Sequence, residues 1–235
     1  MTGHLWANRL VVVVCGLLLG ASLLFASAWR AAMTPWSPAA PPRMAAANAP
    51  LAGATAPPPD LFHDDFARDA LGANPPAGWT IADGLWAGVT SDQGRVVRHA
   101  AGPSYGHLVA GSADWTDYSV TARMRLTPLS TGFAGVAARY RDRGDYYACG
   151  VYYASAVRLW RVRGGIVTLL DARRQAVATD RFHDVRLVVK GSHLSCVFDD
   201  TTVLTGTDAT FPSGRIALMA GNDETAEFAN IVVGT

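Results

Sequence analysis

The stretch from Arg139 to Arg161 holds most of the side chains that could recognise a ligand. Tyr140, Tyr146, Tyr147, Tyr152, Tyr153 and Trp160 are interleaved there with Arg139, Arg141, Arg158 and Arg161, and with Asp142 and Asp145. Rings offer flat apolar platforms, and guanidinium or carboxylate groups at their rim hydrogen-bond hydroxyls. That pairing suits a sugar, which has apolar C–H faces and a hydroxylated edge. The same residues also fit ordinary β-sheet core, because sheets are rich in aromatics whatever they bind.

Reactive groups are sparse. Glu224 and Glu227 are the only glutamates, and Asn222–Thr225 reads as a turn that leaves its carboxylates in solvent. Paired carboxylates flanking a glycosidic bond are not signalled. His63, His99, His107, His183 and His193 show no metal-ligand spacing and are expected to be structural. Cys149 and Cys196 sit inside extended segments, either as small hydrophobes or, after export, as a pair.

Three regions position these residues. From Leu10 to Trp29 no charge interrupts an apolar run flanked by Arg9 and Arg30. About 20 apolar residues cross a bilayer, whereas Ala26-Ser27-Ala28 matches a signal-peptidase site. Residues 1–30 are therefore either a cleaved signal peptide or a signal-anchor transmembrane helix. Residues 31–60 hold eight of the 13 prolines and form no core, so they are expected to be a disordered linker. Residues 61–235 are the folded domain, long enough to bury a core. All 19 acidic residues lie at or after Asp60, and only three of the 20 basic ones precede it. The folded part is thus close to neutral and lacks the basic excess that nucleic-acid binding needs.

Within 61–235 the apolar positions alternate. Tyr118, Val120, Ala122, Met124 and Leu126 share one face, and Ser119, Thr121, Arg123 and Arg125 the other. Similar runs recur to Ala226–Val233, separated by turns such as Arg163-Gly164-Gly165 and Lys190-Gly191-Ser192. Along Gly132–Tyr140, period two puts Ala134, Val136, Ala138 and Tyr140 in the core and turns Arg139 to the opposite surface. The expected fold is all-β, a two-sheet antiparallel jelly-roll sandwich.

The ordered set Asp64-Asp65-Phe66, Trp79, Trp86, Trp115–Tyr118, Gly132–Tyr140, Asp145–Tyr147, Val157–Arg161, His183–Val189, Gly214–Leu218 and Phe228–Ile231 resembles the concanavalin A-like lectin/glucanase superfamily. It is most similar to the laminin G-like and 3-keto-disaccharide hydrolase-like domains of bacterial surface proteins. The glucanase Glu-x-Asp-x-Glu strand of that superfamily is absent. The resemblance implies a glycan site on a concave sheet surface, carried by Arg139, Tyr146, Tyr147, Tyr152, Arg158 and Trp160. It also implies a structural Ca²⁺ near the first and last strands, with Asp65 and Asp223 as oxygen ligands. The expected function is a non-catalytic, lectin-like module for carbohydrate or cell-surface glycan, displayed outside the cytoplasmic membrane, anchored or secreted. The alternatives are a glycoside-cleaving enzyme of the 3-keto-disaccharide hydrolase type and a laminin G-like interaction or structural domain.

Overall fold

The computed structural model describes residues 60–127 and 132–235. The expected N-terminal helix and the linker up to residue 59 lie outside the described residues. Fifteen strands follow one another: β1 (Phe62–Asp64), β2 (Thr80–Asp83), β3 (Leu85–Ser91), β4 (Gly94–Ala100), β5 (Gly106–Ala110), β6 (Tyr118–Leu126), β7 (Phe133–Asp142), β8 (Asp145–Tyr152), β9 (Ala156–Arg163), β10 (Ile166–Arg174), β11 (His183–Lys190), β12 (His193–Phe198), β13 (Thr202–Thr207), β14 (Arg215–Ala220) and β15 (Ala226–Gly234). They form the expected all-β jelly-roll sandwich of two antiparallel sheets. One sheet runs β13-β12-β11-β6-β15-β4-β3, with β1 also paired to β15; the other runs β10-β9-β8-β7-β14-β5-β2.

Alternation decides which side chains meet between the layers. In β6 every second residue is buried, from Tyr118 to Leu126. Its apolar face meets Val136 and Ala138 of β7, Tyr147 and Val151 of β8 and Leu218 of β14 in one core. Cys149 of β8 and Cys196 of β12 form a disulfide, so the covalent link joins one sheet to the other across this core.

The alternation expected for β7 breaks at Arg139. Its φ of 47° lies in the left-handed region. Against β14 the register runs from Ala137↔Ala217 to Tyr140↔Arg215, so three steps on β7 oppose two on β14: a β-bulge. Tyr140 is thereby moved from the expected core face to the outer face, where it packs with Tyr146 and Trp160. Gly214 makes the bulge possible, since a Cβ there would lie 2.4 Å from the Arg139 carbonyl carbon.

Arg139 itself is buried, with only 2% exposed. Its Nε donates to the Thr116 carbonyl, and its Nη1 to the carbonyls of Gly191 and Phe211. Nη2 reaches Asp117 at 3.2 Å. One guanidinium thus ties together three connecting segments at one end of the sandwich. The Tyr118 hydroxyl accepts the Arg139 N–H and lies 3.0 Å from the carbonyls of both Gly214 and Arg215.

The two glutamates are buried rather than solvated. Glu227 stands on β15 between Arg98 of β4 and Arg125 of β6, each directly opposite it in register. Arg98 Nε and Arg125 Nε donate to its two oxygens at 3.0 and 3.1 Å. Glu224 accepts the Gly132 N–H at 3.3 Å. The turn reading missed that neighbouring strands bring arginines to both sides of Glu227.

Arg139→Met leaves three carbonyls without their donor and is expected to lower unfolding free energy by about 3 kcal/mol, read from the urea midpoint. Reduction of the Cys149–Cys196 disulfide releases a crosslink between residues 47 apart; urea unfolding with and without dithiothreitol should differ by about 4 kcal/mol.

Candidate functional site

Outward-facing residues of the seven-stranded sheet do not follow the usual polar pattern. The central ones are small: Ala137 of β7, Ala148 of β8 and Ala217 of β14. Gly135 and Gly150 face each other across β7 and β8, and a Cβ on either would lie 2.2 Å from a carbonyl oxygen of the other strand. Large rings flank this low floor and cover it, so Ala137, Ala148 and Ala217 are fully buried although they point outward. Trp160 sits opposite Ala148 on one side and Leu169 on the other. Phe133 stands edge-on to Trp160 at 5.9 Å and beside Tyr105 at 5.7 Å. Tyr140 stacks on Tyr146 at 5.7 Å, and His107 packs against both rings.

Above this floor lies a cleft of about 420 Å³. Tyr105, Phe133, Tyr146, Tyr152 and Trp160 supply its rings, and Val167 and Leu169 of the edge strand β10 supply an aliphatic side. Its polar groups are His107, Arg143 and Arg158. Arg143 reaches from the β7–β8 turn to Asp83 at the end of β2, with Nη1 donating at 2.7 Å. Hydrogen bonds from Ser104, then Arg143 and the Gly84 N–H, hold the Asp83 carboxyl below its ordinary value against the effect of burial. Arg158 lies flat on Tyr152, 3.6 Å from the ring centre.

His107 is 4% exposed, and neither ring nitrogen has a hydrogen-bond partner among the described residues; the Tyr140 hydroxyl is in the same position. Burial pushes the His107 imidazole down to about 4, the opposing charge of Asp83 notwithstanding. Burial, with nearby Asp142 as a second cause, pushes the Tyr140 phenol up to about 12, and burial pushes Tyr146 up as well. At neutral pH the site therefore presents a neutral imidazole with one donor and one acceptor, beside protonated phenols. Each buried polar atom left unpaired costs about 1–3 kcal/mol.

Of the residues expected on the ligand surface, Tyr146, Tyr152, Arg158 and Trp160 line this cleft. Arg139 and Tyr147 do not. The bulge sends Arg139 into the three-way tie described above. Tyr147 is on the inner face, fully buried, with its hydroxyl on the Asp208 carboxylate at 2.7 Å. His107, Tyr105, Phe133 and Arg143 were missed. Phe133 carried a readable signal, since it lies an odd number of residues from the core-facing Ala134, Val136 and Ala138. His107 carried none: β5 is buried on both faces, so it shows no alternation.

The expected calcium ligands do not converge. Asp64 pairs with Ile231 on β15, whereas Asp223 precedes Ala226 at the other end of that strand. At about 3.3 Å per residue, the neighbouring Asp65 is far from Asp223. The Asp65 carboxylate accepts the Ala67 N–H, and Asp64 is occupied by the Phe66 N–H and the Trp79 indole N–H. Among the described residues no three His, Cys, Asp or Glu gather as a metal site. These residues do not fit the ion.

Burial depresses His99 as well as His107. Between the ordinary histidine value of 6.5 and about 4, the unfolded chain binds protons that the native one refuses. The stability these groups contribute is complete above 6.5 and is lost as pH falls toward 4. Thermal midpoints are expected to decline over this interval, and less steeply in His107→Gln.

No curated protein matches the chain in sequence. Among solved structures, the carbohydrate-binding module CBM66 from Bacillus subtilis is similar at 18% identity and a TM-score of 0.59, covering 67% of this chain and 96% of that one. A Bacillus subtilis protein of unknown function with a galectin-like fold is similar at 13% identity and TM-score 0.53, covering 74% and 95%. A xylan beta-1,4-xylosidase from Bacillus halodurans matches at 17% identity and TM-score 0.57 over 74% of this chain but 39% of its own. At such identities these likenesses speak for the fold. The family model of the 3-keto-alpha-glucoside-1,2-lyase-like domain matches residues 68–234, nearly the whole sandwich and well over half of the chain. The protein therefore belongs to the 3-keto-alpha-glucoside-1,2-lyase-like family, and its function is related to carbohydrates.

Proposed function

We propose that the cleft on the seven-stranded sheet is a non-catalytic carbohydrate-binding site, displayed outside the cytoplasmic membrane. The observation that carries this reading is the buried, unpartnered His107 on a floor walled by Tyr105, Phe133, Tyr146, Tyr152 and Trp160. Rings take the apolar faces of a sugar, and His107 takes a hydroxyl. The carbohydrate-binding module among the similar structures supports the same class of ligand. The disulfide between the sheets supports an oxidising compartment, as does the apolar run near the N-terminus.

The family name favours a second reading, an eliminating enzyme acting on a 3-keto-α-glucoside. A ketone at C3 acidifies the proton on C2, and its removal by a base expels the substituent at C1. The base would be His107, the one titratable cleft residue with free ring nitrogens. Its imidazole is a weak base once burial has lowered it to about 4, and the lining holds no carboxylate to replace it. That balance favours binding over catalysis.

The full chain is expected to bind oligosaccharides on a glycan array. By titration calorimetry, Tyr105→Ala and Tyr152→Ala should each weaken binding roughly tenfold, about 1.4 kcal/mol. Val203→Ala, on the other sheet, should leave it unchanged. Binding indifferent to both tyrosines would remove the cleft from consideration. Cleavage of a 3-keto-α-glucoside by the wild type but not by His107→Ala would replace the binding module with the lyase.

A further inference from the structure

The charges of the cleft are one-sided. Two guanidinium groups line it and no carboxylate does. Arg143 is neutralised by Asp83 at its rim. Arg158 has no such partner: among the described residues no acid lies within ion-pair distance, and no acceptor takes its side-chain N–H groups. Its position is fixed all the same. Gly150 stands opposite it on β8, leaving room beside the side chain. The Tyr152 ring holds the guanidinium face at 3.6 Å. Stacking occupies the flat face of a guanidinium and leaves its in-plane N–H fork available for a planar, two-oxygen acceptor.

We infer that the ligand of this cleft is an acidic sugar, a uronate-type residue whose carboxylate is received by Arg158 while its ring lies against the neighbouring aromatics. This rests on the reading of the cleft as a carbohydrate site and adds the ligand's charge to it. Three features converge on it. The positive charge is uncompensated in a lining with little other polarity. The fork is pre-oriented by a ring, so little rotamer freedom is lost on binding. The neutral His107 adds hydroxyl recognition without a second charge. A neutral sugar offers the Arg158 fork only uncharged hydroxyl acceptors, which hydrogen-bond a guanidinium less strongly than a carboxylate does.

The test compares oligogalacturonate with its methyl ester, which keeps the shape and removes the charge, by calorimetry on the full chain. The acid is expected to bind at least tenfold more tightly. That preference should shrink as salt rises from about 20 to about 200 mM. Arg158→Gln should abolish the difference in affinity between the acid and the ester. Equal or tighter binding of the ester, or an acid preference that Arg158→Gln does not reduce, overturns the inference and leaves the cleft reading standing. Failure to bind either probe, with neutral oligosaccharides bound through Tyr105 and Tyr152, has the same meaning. Failure to bind any saccharide overturns the cleft reading and the inference with it.

Discussion

The extra residue in β7 governs both the packing and the site. Without the bulge, period two would direct Tyr140 inward and Arg139 outward. With it, Tyr140 joins Tyr146 and His107 on the outer face, and Arg139 turns into the end of the sandwich to bind three carbonyls. A left-handed backbone at a non-glycine residue is unfavourable by itself. Here it is held by the Tyr118 hydroxyl on the Arg139 N–H and by a glycine at 214 that allows close approach.

The two outer faces of the sandwich differ in how far their polar groups satisfy one another. On the eight-stranded sheet Glu227 is flanked by Arg98 and Arg125, and Arg125 also lies over the Phe182 ring at 4.6 Å. Charge there is met by charge on adjacent strands, which leaves little for a ligand to gain. On the seven-stranded sheet, rings over a floor of small residues border a cleft in which His107 lacks a partner among the described residues. Recognition is favoured where a partner completes interactions the protein leaves open.

How much of this could be read from the sequence depended on whether each strand has one wet face. β6, β9 and β12 have the bounds that alternation implies, and in β6 and β12 polar residues mark the outer side. β5 was invisible, since the ring-covered sheet buries Gly106–Ala110 on both faces. β4 was obscured in the same way by Val96 and Val97, buried on opposite faces. Tyr146, Tyr152, Arg158 and Trp160, expected on a ligand surface through the family resemblance, were found lining the cleft. Arg139 and Tyr147 were not: a single bulge inverts the first, and the second lies between rim and core, with its hydroxyl held by the distant Asp208. The gathering of His107 with β7 and β8 depends on pairing through β14, which no local pattern encodes.

Cys149 sits on the strand whose alternate residues, Tyr146, Ala148, Gly150 and Tyr152, face the cleft. The crosslink is therefore fastened to the underside of the very ribbon that a ligand would touch. A fastening there restrains breathing of the layer beneath the cleft. An incoming molecule meets a mould already set rather than one that forms around it, and loses less of its affinity to ordering the host.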